Sequence, residues 1–116
     1  MTSDLRLGHI LLPVSDLAVA LAFYRETLGL KVKFQDGDRY AALDLGGATL
    51  ALAAPAEQPA PGVTTLGLKV ADVTVTAAAL RASGAAVSEV TEGAHEQRAL
   101  LHDPDGNPLV LYSPSS

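Results

Sequence analysis

Cysteine and tryptophan are absent from the 116 residues, and aromatic side chains make up only 4% of them. Without a thiol there is no thiolate nucleophile, no disulfide and no sulfur-ligated metal site. With so few rings, the core must be assembled from Ala, Val and Leu. Positive charge is scarce too: 8 Lys and Arg stand against 13 Asp and Glu, a formal net charge of −5, and the basic residues form no cluster. That excludes a phosphate-binding face, so no nucleic-acid partner is expected. No run of about 18 apolar residues occurs, so nothing reads as a membrane-spanning helix. The opening MTSDLRLGHILLP places an acid before any apolar run and is too short for a secretory signal. A cytoplasmic protein without a membrane partner is expected.

What is present is a chain 48% hydrophobic, of a length that suits one domain and would bury roughly two thirds of its unfolded surface. The chain also aligns with itself. HILLPVSDLAVALAFYRETLGLKV (9–32) matches TLGLKVADVTVTAAALRASGAAV (65–87), setting Asp16 on Asp72 and Gly29 on Gly84. RYAALDLGGATLALAAP (39–55) matches RALLHDPDGNPLVLYSP (98–114) without a gap, setting Arg39 on Arg98 and Asp44 on Asp103. This is the pattern of a tandem duplication. Each copy begins with an apolar strand, about 6–13 and 64–70, that ends at an aspartate suited to cap a helix. In the first copy Leu17, Leu21, Tyr24 and Leu28 recur at helical spacing, and Gly29 stands where a C-terminal glycine belongs. The second helix is Ala-rich, with Val73, Leu80 and a closing Gly84. Three short strands follow in each copy, with corners at Asp36-Gly37 and Gly46-Gly47, then at Glu92-Gly93 and Asp105-Gly106. Residues 1–116 are thus expected to form one α+β domain of two βαβββ modules, about 5–54 and 63–114, joined by the Pro/Ala linker 53–62. One face of each module's sheet is covered by its helix. The bare faces of two such modules can curl into a curved mixed sheet around a trough, where a ligand would go.

His102-Asp103-Pro104-Asp105-Gly106-Asn107 crowds potential ligands together, yet its residue types spell a turn. Pro104 presets φ, and Asp, Gly and Asn suit the tight corner of a hairpin between 99–101 and 109–111. A calcium loop would need a bidentate Glu at its twelfth position, which falls on Pro114.

The strand-to-Asp phrase HILLPVSDL, the helix-end phrase FYRETLGL and the hairpin phrase DPDGNPLVL, in this order and duplicated, resemble the vicinal oxygen chelate superfamily, which includes glyoxalase I, extradiol dioxygenases, and fosfomycin- and bleomycin-resistance proteins. The resemblance covers almost the whole chain and implies the glyoxalase-like fold. In metal-dependent members, the resemblance further implies ligands at the start of each module's first strand and in the middle of each last strand. Here those positions hold His9, Thr65, Ala51 and Val110. A divalent ion needs three or four N or O donors at about 2.0–2.2 Å, and Ala and Val supply none. No metal and no cofactor are expected.

By strand alternation and resemblance, the lining of the trough is His9, Leu11, Ala51, Ala53, Thr65, Gly67, Leu100, Val110 and Tyr112, with Arg98 and His102 sharing the parity of Leu100. His9 reads either as a packed histidine or as a ligand contact. His102 reads as a ligand contact or as a solvated residue beside the turn. His95 and Glu96 follow Gly93 in what reads as a solvated loop. Arg39 and Arg98 each begin a strand, where a guanidinium either meets an anionic or carbonyl-bearing ligand or pairs with a nearby acid such as Asp38, Glu96 or Asp44.

The mostly aliphatic lining points to a metal-free small-molecule binding protein that sequesters an apolar or aromatic ligand, similar to the drug-sequestering members. A metal-dependent enzyme of the glyoxalase type (lyase or isomerase) or the dioxygenase type, its metal site displaced to His9 and His102, is the alternative. A structural or regulatory dimerisation module without a ligand is a third. Family resemblance and the exposed apolar sheet faces favour a homodimer. Catalysis through Tyr24, His102 or Arg98 without metal stays open at this level.

Overall fold

The computed structural model describes residues 4–115. In chain order it contains β1 (Arg6–Pro13), α1 (Leu17–Leu21), a π-helical turn (Ala22–Thr27) continuing α1, β2 (Lys31–Asp36), β3 (Tyr40–Asp44) and β4 (Thr49–Ala53). After a short 3₁₀ turn (Pro55–Glu57) come β5 (Thr65–Lys69), α2 (Val73–Ala82), β6 (Thr91–Glu92), β7 (Glu96–His102) and β8 (Pro108–Pro114). This is the expected α+β order, strand, helix and three strands, given twice. Among the described residues no helix is long and apolar enough to cross a membrane. By contact the chain falls into two compact units: an N-terminal one of residues 9–65, and a C-terminal one of residues 66–115 together with 4–8.

In the N-terminal unit the strands lie in the order β2-β3-β4-β1, with β3 antiparallel to both neighbours and β4 parallel to β1. Asp16 caps α1, its carboxylate accepting from the backbone N–H groups of Ala18 at 3.0 Å and Val19 at 3.3 Å. Leu17 and Leu21 bury against Ala41, Leu43, Leu50 and Leu52, with Leu12 and Tyr24 at the margin. Leu28 departs from the expected helical stripe: it is 54% exposed. The π-helical turn is the reason. The Leu28 N–H donates to the Phe23 carbonyl at 3.0 Å, five residues back, so the helix is locally overfilled and the 3.6-residue projection no longer holds. Gly29 follows with φ of 77°, the left-handed end that its position suggested. Residues 53–62, expected as a linker, are tied down by Gln58. Its amide donates to the carbonyls of Ala53 at 2.9 Å and Val14 at 3.2 Å, and its oxygen accepts from Gly62 N–H at 2.8 Å.

In the C-terminal unit the order is β5-β8-β7-β6, with β5 parallel to β8 and β7 antiparallel to β8 and β6. Val70, Val73, Ala99 and Leu111 form the buried cluster beneath α2, with Leu68, Leu80, Val87 and Leu101 packed around it. Asp72 caps α2 through Val75 N–H at 3.2 Å, and the buried Ser113 hydroxyl accepts from Val73 N–H at 3.2 Å. The second strand of this unit, β6, is only two residues long, against six in β2.

The turn reading of 103–107 holds. Asp103 accepts from the backbone N–H of Asp105 and of Asn107, both at 2.9 Å, and from the Asn107 side-chain amide at 2.8 Å. These bonds, that of the Asn107 side chain first, hold the exposed Asp103 carboxyl below its ordinary range.

The gapless self-alignment holds along the last strands and slips along the third. Leu50 and Leu52 pair across to Leu43 and Ala41, whereas Leu109 and Leu111 pair across to Leu101 and Ala99. Leu43 and Ala41 therefore correspond to Leu101 and Ala99 in facing the helix, not to His102 and Leu100 as the alignment has it. Arg39 and Arg98 consequently do not share a face.

Candidate functional site

Alternation fixes which side chains stand on the sheet face away from the helix. In the N-terminal unit these are His9 and Leu11 on β1, Ala42 on β3, and Ala51 and Ala53 on β4. Leu11 is in register with Ala51, and Ala51 with Ala42. Leu11, Ala51 and Ala53 form a buried apolar cluster closed by Tyr40. His9 is 6% exposed, and burial pushes its imidazole down to about 4. At neutral pH it is an uncharged ring in an aliphatic setting. Thr65 is fully buried, and its hydroxyl donates to the Val63 carbonyl at 3.3 Å.

In the C-terminal unit the same alternation brings together Gly67, Arg98, Leu100, His102, Val110 and Tyr112. Their register runs in rows across three strands. Gly67 pairs with Val110, and Val110 with Leu100; one step on, Lys69 pairs with Tyr112, and Tyr112 with Arg98. At the other end His102 meets Pro108 and is exposed at the strand's end beside the turn. Val110 is 2% exposed, while Leu100, Arg98, Lys69 and Tyr112 are half-buried. Burial, and then the charge of Glu96, raise the Tyr112 phenol, with Arg6 acting the other way. The phenol is thus protonated throughout the physiological range.

Sequence reasoning missed three residues here. Lys69 was legible by extending the alternation Thr65, Gly67 by one more step. Ser113 has no sequence signature, because its hydroxyl serves a helix start forty positions away. Gly8 is required by space, since a Cβ at that position would overlap the Tyr112 hydroxyl and ring. The glycine therefore leaves room for the phenol beside residue 8.

The donor set does not fit a divalent metal. The two last-strand positions carry Ala51 and Val110, the Thr65 hydroxyl is engaged on a backbone carbonyl, and among the described residues no three His, Asp or Glu side chains converge. The geometry offers buried aliphatic surface, one neutral imidazole, and a polar row of Lys69, Tyr112 and Arg98.

Comparison with known proteins agrees with the fold. The model of the Glyoxalase/Bleomycin resistance protein/Dioxygenase superfamily matches residues 6–111. An uncharacterized protein of Mycolicibacterium smegmatis is 44% identical over 113 residues, 97% of either chain. Among solved structures, a hypothetical protein from Bacillus halodurans is alike in fold, with a TM-score of 0.79 at 22% identity, covering 98% of this chain and 97% of that one. A methylmalonyl-CoA epimerase of Streptomyces coelicolor, in complex with 2-nitronate-propionyl-CoA, has a TM-score of 0.77 at 26% identity, covering 98% of this chain and 100% of that one.

Proposed function

Because the chain belongs to the glyoxalase/bleomycin resistance protein/dioxygenase superfamily, we propose that it is a metal-free member that binds an apolar or aromatic small molecule on the helix-free faces of its sheets. One observation carries this reading: Ala51 and Val110, at the two last-strand positions, are buried aliphatic side chains rather than carboxylates. An aliphatic surface without a Lewis acid suits the hydrophobic body of a ligand better than the stabilisation of an enediolate or the activation of oxygen. His9, Leu11, Ala51, Thr65, Arg98, Leu100, His102, Val110 and Tyr112 are the residues proposed to contact it. The protein is proposed to act as a cytoplasmic homodimer; a monomer by sedimentation at micromolar concentration would overturn the dimer.

The test is elemental analysis of tag-free protein after incubation with Ni, Zn, Mn and Fe(II) and desalting, paired with titration of an aromatic probe with and without EDTA. The expected result is metal far below one per chain and probe affinity unchanged by the chelator. One metal per chain, with probe binding lost on chelation, would overturn the reading.

The likeness to an epimerase favours one second reading, an enzyme of the same superfamily. In that case the His9 imidazole, uncharged at pH 7 and made a weak base by its burial, would hold the substrate by hydrogen bonding rather than take its proton. Turnover of a metal-free preparation that disappears in His9→Gln would establish it.

A further inference from the structure

The C-terminal unit carries charge where a purely apolar receptor would not. Lys69, Tyr112 and Arg98 stand side by side on β5, β8 and β7, on the face opposite the cluster beneath α2. Both cations are half-buried, and among the described residues neither has an ion-pair partner. Arg39 in the other unit is different, because it engages Asp36 at 3.4 Å and Glu57 at 3.5 Å. Two cationic side chains that lie on one face with no ion-pair partner leave their N–H donors open to an anionic ligand. The charges that bear on this row are Arg6 and Glu96, both felt by Tyr112. Lys69, Arg98 and Arg6 against Glu96 leave the row positive. The next row, Gly67-Val110-Leu100, is wholly apolar and directly adjoining.

We propose that the Lys69-Tyr112-Arg98 row is a head-group subsite for the carboxylate of an aromatic acid, the body of which lies against the half-buried Leu100. The inference rests on the small-molecule reading above and names the class of ligand. Arg98 supplies the planar fork that matches a carboxylate with two parallel N–H···O bonds, Lys69 a second positive charge, and the Tyr112 ring a flat wall. Gly8 acts as a positioning residue, because any side chain there displaces that ring.

The experiment uses a matched pair, 2-naphthoate and 2-naphthamide, titrated into the full chain at pH 7.5 and low salt by calorimetry. The aromatic body is the same and only the charge of the head differs. The expected result is that both bind, the acid about tenfold or more tighter, the scale of charge-assisted hydrogen bonds. Arg98→Gln and Lys69→Gln should each erase most of that preference by weakening the acid more than the amide, with unchanged far-UV circular dichroism and melting temperature showing the variants to be folded. Gly8→Ala, by moving the Tyr112 ring, should weaken both probes. Equal affinity of the two probes for the unmodified chain would overturn the head-group subsite and leave the apolar reading standing. Failure of both to bind would overturn both. A preference that survives Arg98→Gln and Lys69→Gln together would place the anion elsewhere and overturn the assignment.

Discussion

The two units share an element order and part company at one hairpin. In the N-terminal unit, β3 and β4 are joined by Leu45-Gly46-Gly47-Ala48, closed by the Leu45 N–H on the Ala48 carbonyl at 2.8 Å. In the C-terminal unit, β7 and β8 are joined by five residues, Asp103–Asn107, gathered around the Asp103 carboxylate. The segments are equal in length, so the extra turn residue comes out of the strand, and β7 is displaced by one step relative to β3. A one-step displacement turns every side chain to the opposite face. Arg39 is left at an exposed corner with acids to hand, and Arg98 is delivered to the helix-free face beside Tyr112. Two halves that read alike in sequence thus present different chemistry: an aliphatic patch with a buried imidazole in one, a cationic row beside an apolar row in the other.

Equalising the two turns should have the largest effect. Deleting Pro104 leaves four residues between the strands. If β7 then takes the β3 register, Arg98 and Leu100 turn toward α2, and Ala99 and Leu101 turn away from it. Burying an unpaired guanidinium in that cluster should cost more than about 4 kcal/mol. Inserting a glycine between Gly46 and Gly47 lengthens a loop without forcing a slip and should cost under about 1 kcal/mol. Urea denaturation of both variants checks this, and near-equal losses would show that the turn does not set the register.

A second contrast lies at the starts of β1 and β5, where the self-alignment sets His9 on Thr65. His9 titrates near 6.5 when unfolded and about 4 when folded. Its folded pKa is depressed, so the unfolded chain binds the proton more readily, and stability is lost as the pH falls from about 6.5 to about 4. The loss approaches about 3 kcal/mol by linkage. Thr65 does not titrate. Denaturant midpoints from pH 7.5 to 4 should fall in the parent and flatten in His9→Thr; an unchanged slope would mean that another group carries the acid sensitivity.

Helix capping gives a smaller contrast. Asp16 alone takes two N–H groups of α1, whereas at α2 the work is divided between Asp72 and Ser113. Asp16→Ala should cost about 1 kcal/mol or somewhat more. Asp72→Ala should cost about as much, and Ser113→Ala a further amount of the same order, because it leaves a buried N–H without an acceptor. Thermal melts of the three single variants and the Asp72/Ser113 pair would show whether the divided cap is additive; a neutral Ser113→Ala would sink the shared-cap account.

The element order, the caps, the glycine-ended helices and the strand faces were legible because each rests on local chemistry: an aspartate before an apolar stretch, a glycine after it, a period of two. Leu28 was misjudged because a π-helical turn leaves no trace in a 3.6-residue projection. Residues 53–62 look like a passive linker in sequence, since nothing local marks Gln58 as reaching back to Val14 and Ala53. The sheet face on which His9, Leu11, Ala51, Val110 and Tyr112 stand followed from parity. The slip between β3 and β7 did not, because a gapless alignment is silent about whether an aspartate sits in the ladder, as Asp44 does opposite Thr49, or outside it, as Asp103 does. Gly8 was invisible because its neighbour Tyr112 lies a hundred residues away in the chain.

The two arginines give the smallest expected effect on stability and the cleanest separation of roles. Arg39→Gln removes two exposed ion pairs, each worth little in water, so the cost should stay within about 0.5 kcal/mol and shrink further in added salt. It should leave the affinity for 2-naphthoate untouched, since Arg39 belongs to the other unit. Arg98→Gln removes no ion pair among the described residues, so it should be close to neutral for stability, while the preference for the acid collapses. The opposite pattern, with stability lost at Arg98 and head-group preference intact, would mean that Arg98 is held by the protein itself. The one-residue slip would then have changed the packing of the sheet without creating a place for an anion.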